Sequence, residues 1–303
     1  MEFKIEDMEV LKTRHLGAME KLFWLLDQIS PSHFIIAAEL CGPLEANELS
    51  IALTDIRLRH PLLFSRIVDN GCENPYFEYI PHARIPLRVV NRRNEGILER
   101  EMEKELSAPF DYNMAPLIRC VMIRDEAHPI LLFAVHHAVS DGISMTMVIR
   151  DIIGSISGKS LEALPFPPSA DQLIDSGSRE GLVIGHQKAI DKIPLSRGRE
   201  AGPKVFLQQL SADLSCRLLA KCKLERTSFQ GMLYAAAVIA ARKAALSWSR
   251  SRIKVIVPVS VRKTITHGES SALYLSSKAI CYDEIEEKNF WELSRKVKKE
   301  LSM

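Results

Sequence analysis

No apolar run in this sequence is long enough to cross a bilayer, which sets aside a helical membrane protein. The first residues, Met1 to Asp7, intersperse charges where a secretory leader would need an apolar stretch. The N-x-S/T glycosylation pattern is absent too, so the chain is expected in the cytoplasm. The six cysteines, Cys41, Cys72, Cys120, Cys216, Cys222 and Cys281, contain no C-x-x-C pair. They read as reduced core thiols, and neither a disulfide framework nor a zinc site is implied. Neither sign of charge dominates: the formal net charge is +2, which gives no reason to expect nucleic acid or anionic membrane as the main partner. No Gly-rich phosphate loop and no Cys/His metal spacing occurs. The string Gly154-Ser155-Ile156-Ser157-Gly158 lacks the central serine of a hydrolase nucleophile elbow. Internal repeats and low-complexity tracts are missing as well.

What remains is an ordinary globular composition, 47% hydrophobic and 26% charged over 303 residues, enough for one large core or two lobes. The first part alternates strand and helix patterns. His33 to Leu40 reads as a strand. Leu44 to Arg59 carries Leu49, Leu53, Ile56 and Leu58 at near-helical spacing and is stopped by Pro61. Leu62 to Val68, Tyr76 to Ile80 and Ile85 to Val90 are short strands, and Glu95 to Leu106 is a charged helix. Leu117 to Arg124 and Ile130 to His136 form a hairpin around Asp125-Glu126-Ala127-His128-Pro129. A helix from Ile143 to Ile153 follows. The stretch from Gly158 to Gly202 is rich in Gly, Ser and Pro and reads as a connection with at most one short helix. Beyond it come a strand at Val205 to Leu210 and a helix from Ser211 to Lys223. A buried helix from Phe229 to Leu246 is capped by Thr227-Ser228. Strands at Ile253 to Val259 and Ser277 to Tyr282 precede a helix from Asn289 to Leu301, which aligns Phe290, Leu293, Val297 and Leu301 on one face.

The chemistry concentrates in His136-His137-Ala138-Val139-Ser140-Asp141-Gly142, directly after the apolar run Ile130 to Val135. A continuous apolar run of this length is a buried strand, and Ser-Asp-Gly is turn chemistry. Two imidazoles are thus delivered to the end of a core strand, with a carboxylate and a glycine close behind. This is an arrangement that general-base catalysis uses. Neighbouring side chains on a strand face opposite ways, so His136 and His137 are not expected to share a metal or a substrate. Ser144 and Thr146 lie on the following helix with nothing to activate them as nucleophiles.

The pattern HHxxxDG resembles the signature of a superfamily of acyltransferases. It includes chloramphenicol acetyltransferase, the condensation domains of nonribosomal peptide synthetases, plant alcohol acyltransferases and polyketide-associated acyltransferases. Other segments resemble that family in the same order: Arg59-His60-Pro61-Leu62-Leu63-Phe64-Ser65-Arg66, Pro109-Phe110-Asp111 with Ala115-Pro116-Leu117-Ile118-Arg119, and Val257-Pro258-Val259-Ser260-Val261-Arg262. The run Asp141 to Thr146 is closest to the polyketide-associated and condensation-like branches. The resemblance extends from about Leu16 to the C-terminus.

The resemblance implies an α/β, chloramphenicol-acetyltransferase-like two-lobe fold with mixed sheets covered by helices. Residues 1–157 would form the N-terminal lobe, 158–202 a crossover and 203–303 a partial C-terminal lobe. The sequence lacks the family's Asp-Phe-Gly-type motif, and the second lobe is expected to be incomplete. The family's second histidine is catalytic, so the resemblance assigns general base to His137 and a packing role to His136. It pairs Asp141 with Arg262; Arg119 is the other candidate partner, and a simple helix N-cap is the plain reading of Asp141. Gly142 would allow a bend and close packing, with its amide near a developing oxyanion. The implied activity is acyl transfer from acyl-CoA or a carrier-protein phosphopantetheine thioester to a small-molecule alcohol or amine, in secondary metabolism or lipid-ester formation. No metal or bound cofactor is expected. Two alternatives stand beside it: an amide-forming condensation domain dependent on acyl or peptidyl carrier proteins, and a non-catalytic remnant with a binding role only.

Overall fold

The computed structural model describes residues 12–69, 71, 74–92, 95–176, 202–244, 252–265, 269–282 and 289–302. The expectations placed on Met1 to Asp7, Cys72 and the later part of the 158–202 connection lie outside the described residues, as does the end of the helix at Leu246. The chain forms two compact units: Met1–Phe206 with Val261–Leu275, and Leu207–Ser260 with Ser276–Met303. The segment Val261–Leu275, grouped by the sequence with the C-terminal lobe, therefore packs within the first unit.

The first unit is organised by strand β7 (Ile130–Val135), in which every residue is buried. It pairs antiparallel with β2 (Phe34–Glu39) on one side and β6 (Ile118–Arg124) on the other, and β6 continues in parallel to β5 (Leu87–Asn91). The sheet is mixed. Side-chain alternation sends Leu131, Phe133 and Val135 into a core shared with Leu49, Leu53 and Ile56 of α2 (Ala46–Asp55) and Met145, Val148 and Ile152 of α4 (Gly142–Ile156). Ile130 and Leu132 face the other way, toward Ile97, Leu98 and Met102 of α3 (Ile97–Ser107). With both faces covered, a continuous apolar run is what such a strand requires. Each large side chain removed from water contributes about 1.5–3 kcal/mol.

A smaller antiparallel sheet orders β1 (Thr13–His15), β4 (Tyr76–Tyr79) and β3 (Ser65–Val68). Leu62 to Val68 is not one strand as expected. Pro61–Phe64 form a short 3₁₀ helix and the strand starts at Ser65. Leu62, Leu63 and Phe64 are all fully buried. Pro61 presets the helical φ and has no N–H to give to a sheet ladder.

Helix α1 (Ala18–Asp27) is not among the elements expected from the sequence, and its start is fixed by a local capping box and one distant carboxylate. The Glu20 carboxylate accepts the Gly17 N–H at 2.7 Å and is gripped twice by Arg14 at 2.7 Å. Asp171, on the short helix α5 (Ala170–Ser176), accepts the Ala18 N–H at 2.6 Å. A Cβ at Gly17 would lie 2.7 Å from that carboxylate and 2.8 Å from the Ser169 Cβ, so a larger residue there requires these neighbours to shift.

In the second unit, α6 (Ala212–Leu224), α7 (Phe229–Ala244), α9 (Phe290–Ser302) and the two-stranded sheet of β8 (Ile253–Ser260) and β9 (Leu275–Tyr282) enclose a core of Ala235, Val238, Val257, Ile280, Tyr282, Leu293 and Val297. The short helix α8 (Arg262–Ile265) follows β8. The Ser211, Ser228 and Asn289 side chains accept backbone N–H groups at the starts of α6, α7 and α9. Val205 to Leu210 forms no strand, contrary to the sequence expectation. The Val205 amide donates to Glu103 at 3.1 Å, and Phe206 is 90% exposed. Among the described cysteines, Cys120 and Cys222 are buried, but Cys41 and Cys216 are exposed and so are not core thiols. No helix among the described residues is long and apolar enough to cross a membrane.

At Gly231 an added Cβ would stand 2.8 Å from the Ser294 carbonyl oxygen, so α7 and α9 meet backbone to side-chain-free backbone. Gly231→Ala is expected to lower unfolding stability by about 1–3 kcal/mol through this overpacking. Urea denaturation measures it, and an unchanged midpoint would contradict the close approach.

Candidate active site

The His-His loop begins where β7 ends. The His136 N–H still donates to the Leu117 carbonyl at 3.0 Å, after which His137–Val139 form a single 3₁₀ turn. Both histidines therefore lie beyond the strand, and turn geometry separates them in place of strand alternation.

His136 is fully buried. Its Nδ1 accepts the Ala138 N–H at 3.1 Å, which requires the proton on Nε2. That nitrogen lies 3.5 Å from Oδ2 of Asp27, the last residue of α1. Asp27 also accepts the Ser32 N–H at 2.7 Å. Burial works to raise the Asp27 carboxyl, but His136 and the Ser32 amide outweigh it and hold the group below the usual carboxylate range. His33 stands 4.0 Å from the same carboxylate and donates its Nε2–H to the Glu105 carbonyl at 2.9 Å.

His137 faces a different environment. Its ring is stacked on Phe23 of α1, with centroids 4.3 Å apart, and tilted against Phe34 of β2 at 4.6 Å. The pairing of Phe34 with Val135 explains how a residue so far away in sequence reaches the end of β7. His137 Nδ1 sits 3.2 Å from the Ser140 carbonyl oxygen. A carbonyl only accepts, so Nδ1 carries the hydrogen and the Nε2 lone pair is left for a proton. Burial pulls the His137 pKa below its ordinary value, against the opposing pull of the Ser140 carbonyl and the Asp141 charge. The imidazole is thereby kept neutral near pH 7.

Asp141 carries both roles that the sequence left open. Oδ1 accepts the Ser144 N–H at 2.7 Å as the N-cap of α4. Oδ2 accepts the Tyr274 N–H at 2.9 Å and lies 3.7 Å from the Arg262 guanidinium. Arg262 also donates to Ser144 Oγ at 2.5 Å, and Ser144 Oγ donates in turn to the Ala272 carbonyl at 2.6 Å. Arg119 is engaged elsewhere, at 3.0 Å from Glu105. Thr146 bonds back to the Ile143 carbonyl of its own helix. Gly142 departs from expectation: a Cβ there would meet no heavy atom within 4 Å, so no close packing demands glycine. The space beside the first turn of α4 is open.

Phe23, Phe34, Asp27 and Tyr274 are not singled out by the sequence. Each is brought to the loop by long-range pairing or packing that no local pattern carries.

A family described as the condensation domain matches residues 15–173 of the chain. Cyclosporin synthetase of Tolypocladium inflatum is 30% identical over 160 residues, covering 48% of this chain and 1% of that protein. Bacitracin synthase 3 of Bacillus licheniformis is 28% identical over 168 residues, covering 53% of this chain and 2% of that protein. The chain thus corresponds to a small part of these large proteins. Among solved structures, the first condensation domain of the calcium-dependent antibiotic synthetase superposes with a TM-score of 0.70 at 18% identity, covering 95% of this chain and 73% of that one. Polyketide synthase associated protein 5 from Mycobacterium tuberculosis gives 0.64 at 16% identity, over 95% and 72%. The mixed α/β fold is that of condensation domains.

The titrating groups at the loop and its surroundings predict a direction for acid sensitivity. Burial holds His33, His60 and His137 below their ordinary pKa of 6.5, so on acidification the unfolded chain takes up protons first. Stability present at neutral pH is then lost as pH falls below about 6.5. Asp27 and Asp151, both lowered, add a second loss as pH drops through and below the ordinary carboxylate value of 3.8. The unfolding free energy from urea titration is expected to decrease steadily from pH 7 to pH 5. A flat or rising profile over that interval would contradict neutral burial of these imidazoles.

Proposed function

Because the chain belongs to the condensation-domain family, matched from residue 15 to 173, we propose that it joins an acyl thioester held on a carrier protein's phosphopantetheine to an amine on a second carrier-bound substrate. The product is an amide and His137 is the general base. The observation that carries the reading is the fixed tautomer of His137: Nδ1–H is engaged by the Ser140 carbonyl at 3.2 Å, and Nε2 is the atom left to receive a proton.

The step balances without another reactant. As the amine nitrogen bonds to the thioester carbonyl carbon, its proton passes to His137 Nε2. The C–S bond then breaks, and the proton goes to the departing thiolate. A positioned base contributes on the order of 10²–10⁴-fold, and orientation of the two substrates together with oxyanion stabilisation supplies the rest. The Gly142 amide, in the first turn of α4 beside open space, is the candidate oxyanion donor, because the first amides of a helix have no partner within it. His136, Asp141 and Arg262 hold the loop. Of the readings available from the sequence, transfer from free acyl-CoA to an alcohol yields to the carrier-dependent one, which the family match and the relatives named as a synthetase and a synthase favour.

The test compares donors loaded on a carrier protein with free acyl-CoA, each with carrier-bound amine or free alcohol acceptors, and follows product by mass spectrometry. Amide formation restricted to carrier-bound partners is expected. His137→Gln should lower its rate on the order of 10²–10⁴-fold while the near-ultraviolet circular dichroism is preserved. Ester formation from acyl-CoA would overturn carrier dependence. Wild-type activity retained by His137→Gln would overturn the base assignment, and no turnover of any thioester would favour the non-catalytic alternative.

A further inference from the structure

The tautomer of His137 depends on one backbone carbonyl, that of Ser140, and Ser140 belongs to no regular element. It sits in extended conformation between the 3₁₀ turn and α4, with φ −161° and ψ 155°. We infer that Ser271, which is 131 residues away in sequence, is a positioning residue for His137 that acts through Ser140. This rests on the base assignment made above.

The Ser271 hydroxyl lies 2.9 Å from Ser140 Oγ and 3.2 Å from the Val139 carbonyl oxygen, so a single side chain bridges two successive residues of the loop. Ser271 is itself held. Its N–H donates to His60 Nδ1 at 3.0 Å, which leaves the His60 proton on Nε2, 3.1 Å from Asp151 Oδ2. Asp151 is gripped by Arg59 at 2.5 Å and Arg150 at 2.9 Å. His60, Ser271 and Ser140 are fully buried, so water does not compete for these bonds. Three residues further on, the Tyr274 N–H donates to Asp141 at 2.9 Å. The segment from Ser271 to Tyr274 therefore grips both residues that immediately follow the 3₁₀ turn. The chain of support runs from Asp151 through His60 to the Ser271 backbone, across its hydroxyl to Ser140, and from the Ser140 carbonyl to His137 Nδ1. Each link is a directional bond, so a displaced Ser140 carbonyl releases the Nδ1 hydrogen. The imidazole proton can then sit on Nε2, the atom that must be empty.

Ser271→Ala removes the bridge and keeps the backbone bond to His60. Ser140→Ala severs the same bridge from the loop side. Nitrogen-15 spectra of the substrate-free protein report which His137 nitrogen bears the proton, and steady-state amide formation from carrier-bound substrates reports kcat and KM. Both variants are expected to shift the tautomer population toward Nε2–H. They should also lower kcat on the order of 10- to 100-fold with little change in KM. If one variant fails to fold, the other carries the reading. An unshifted tautomer in a folded variant overturns the positioning role. A shifted tautomer in a protein whose wild type makes no amide would overturn the proposed function and leave the positioning role standing.

Discussion

The buried carboxylate of Asp141 is the interaction on which the rest of the site depends. It accepts the Ser144 N–H that starts α4, accepts the Tyr274 N–H from a distant segment, and faces the Arg262 guanidinium at 3.7 Å. A buried charge is tolerated only when its oxygens are occupied in this way. The residue thus joins three stretches of chain at the point where the histidine loop turns into a helix. The N-cap and the ion pair, which read as competing explanations in the sequence, use different oxygens of the same group. They reinforce each other, because the helix N-terminus favours the negative charge that the guanidinium also stabilises.

Two adjacent imidazoles acquire opposite tautomers from what each Nδ1 meets. His136 Nδ1 meets an amide N–H and must accept, so its hydrogen sits on Nε2 toward Asp27. His137 Nδ1 meets a carbonyl and must donate, so its Nε2 is bare. Only His137 has its second nitrogen left for a proton. The phenylalanine rings of Phe23 and Phe34 hold its plane and help to keep water from stabilising the charged form. The hydrogen bonds thus distinguish the two rings, and this difference supports the separate roles proposed for them.

Much of the fold could be read locally. The apolar run Ile130 to Val135, the hairpin to Ile118–Arg124, the serine caps of α6 and α7 and the apolar stripe of α9 all follow from period and capping. Where the reading failed, tertiary partners decided. Helix α1 takes a distant partner in Asp171 beside its own Glu20 cap, and the residues after Pro61 turn helical before the strand begins at Ser65. Val205 to Leu210 has strand-forming residues but its first amide goes to Glu103. At the site, the motif itself was legible, whereas Phe34, Ser271 and Tyr274 reach it only through pairing or packing at long range. The proposed preference for a carrier over coenzyme A leaves no mark in the motif, since one base would serve both donors.

The proposed chemistry requires a neutral His137 whose free nitrogen is Nε2. A nitrogen-15 pH titration of the wild-type protein, with the His137 ring assigned, tests it most directly. The Nδ1–H tautomer at neutral pH and a titration midpoint below the ordinary 6.5 are expected. A hydrogen resident on Nε2, or a midpoint above that value, would contradict it.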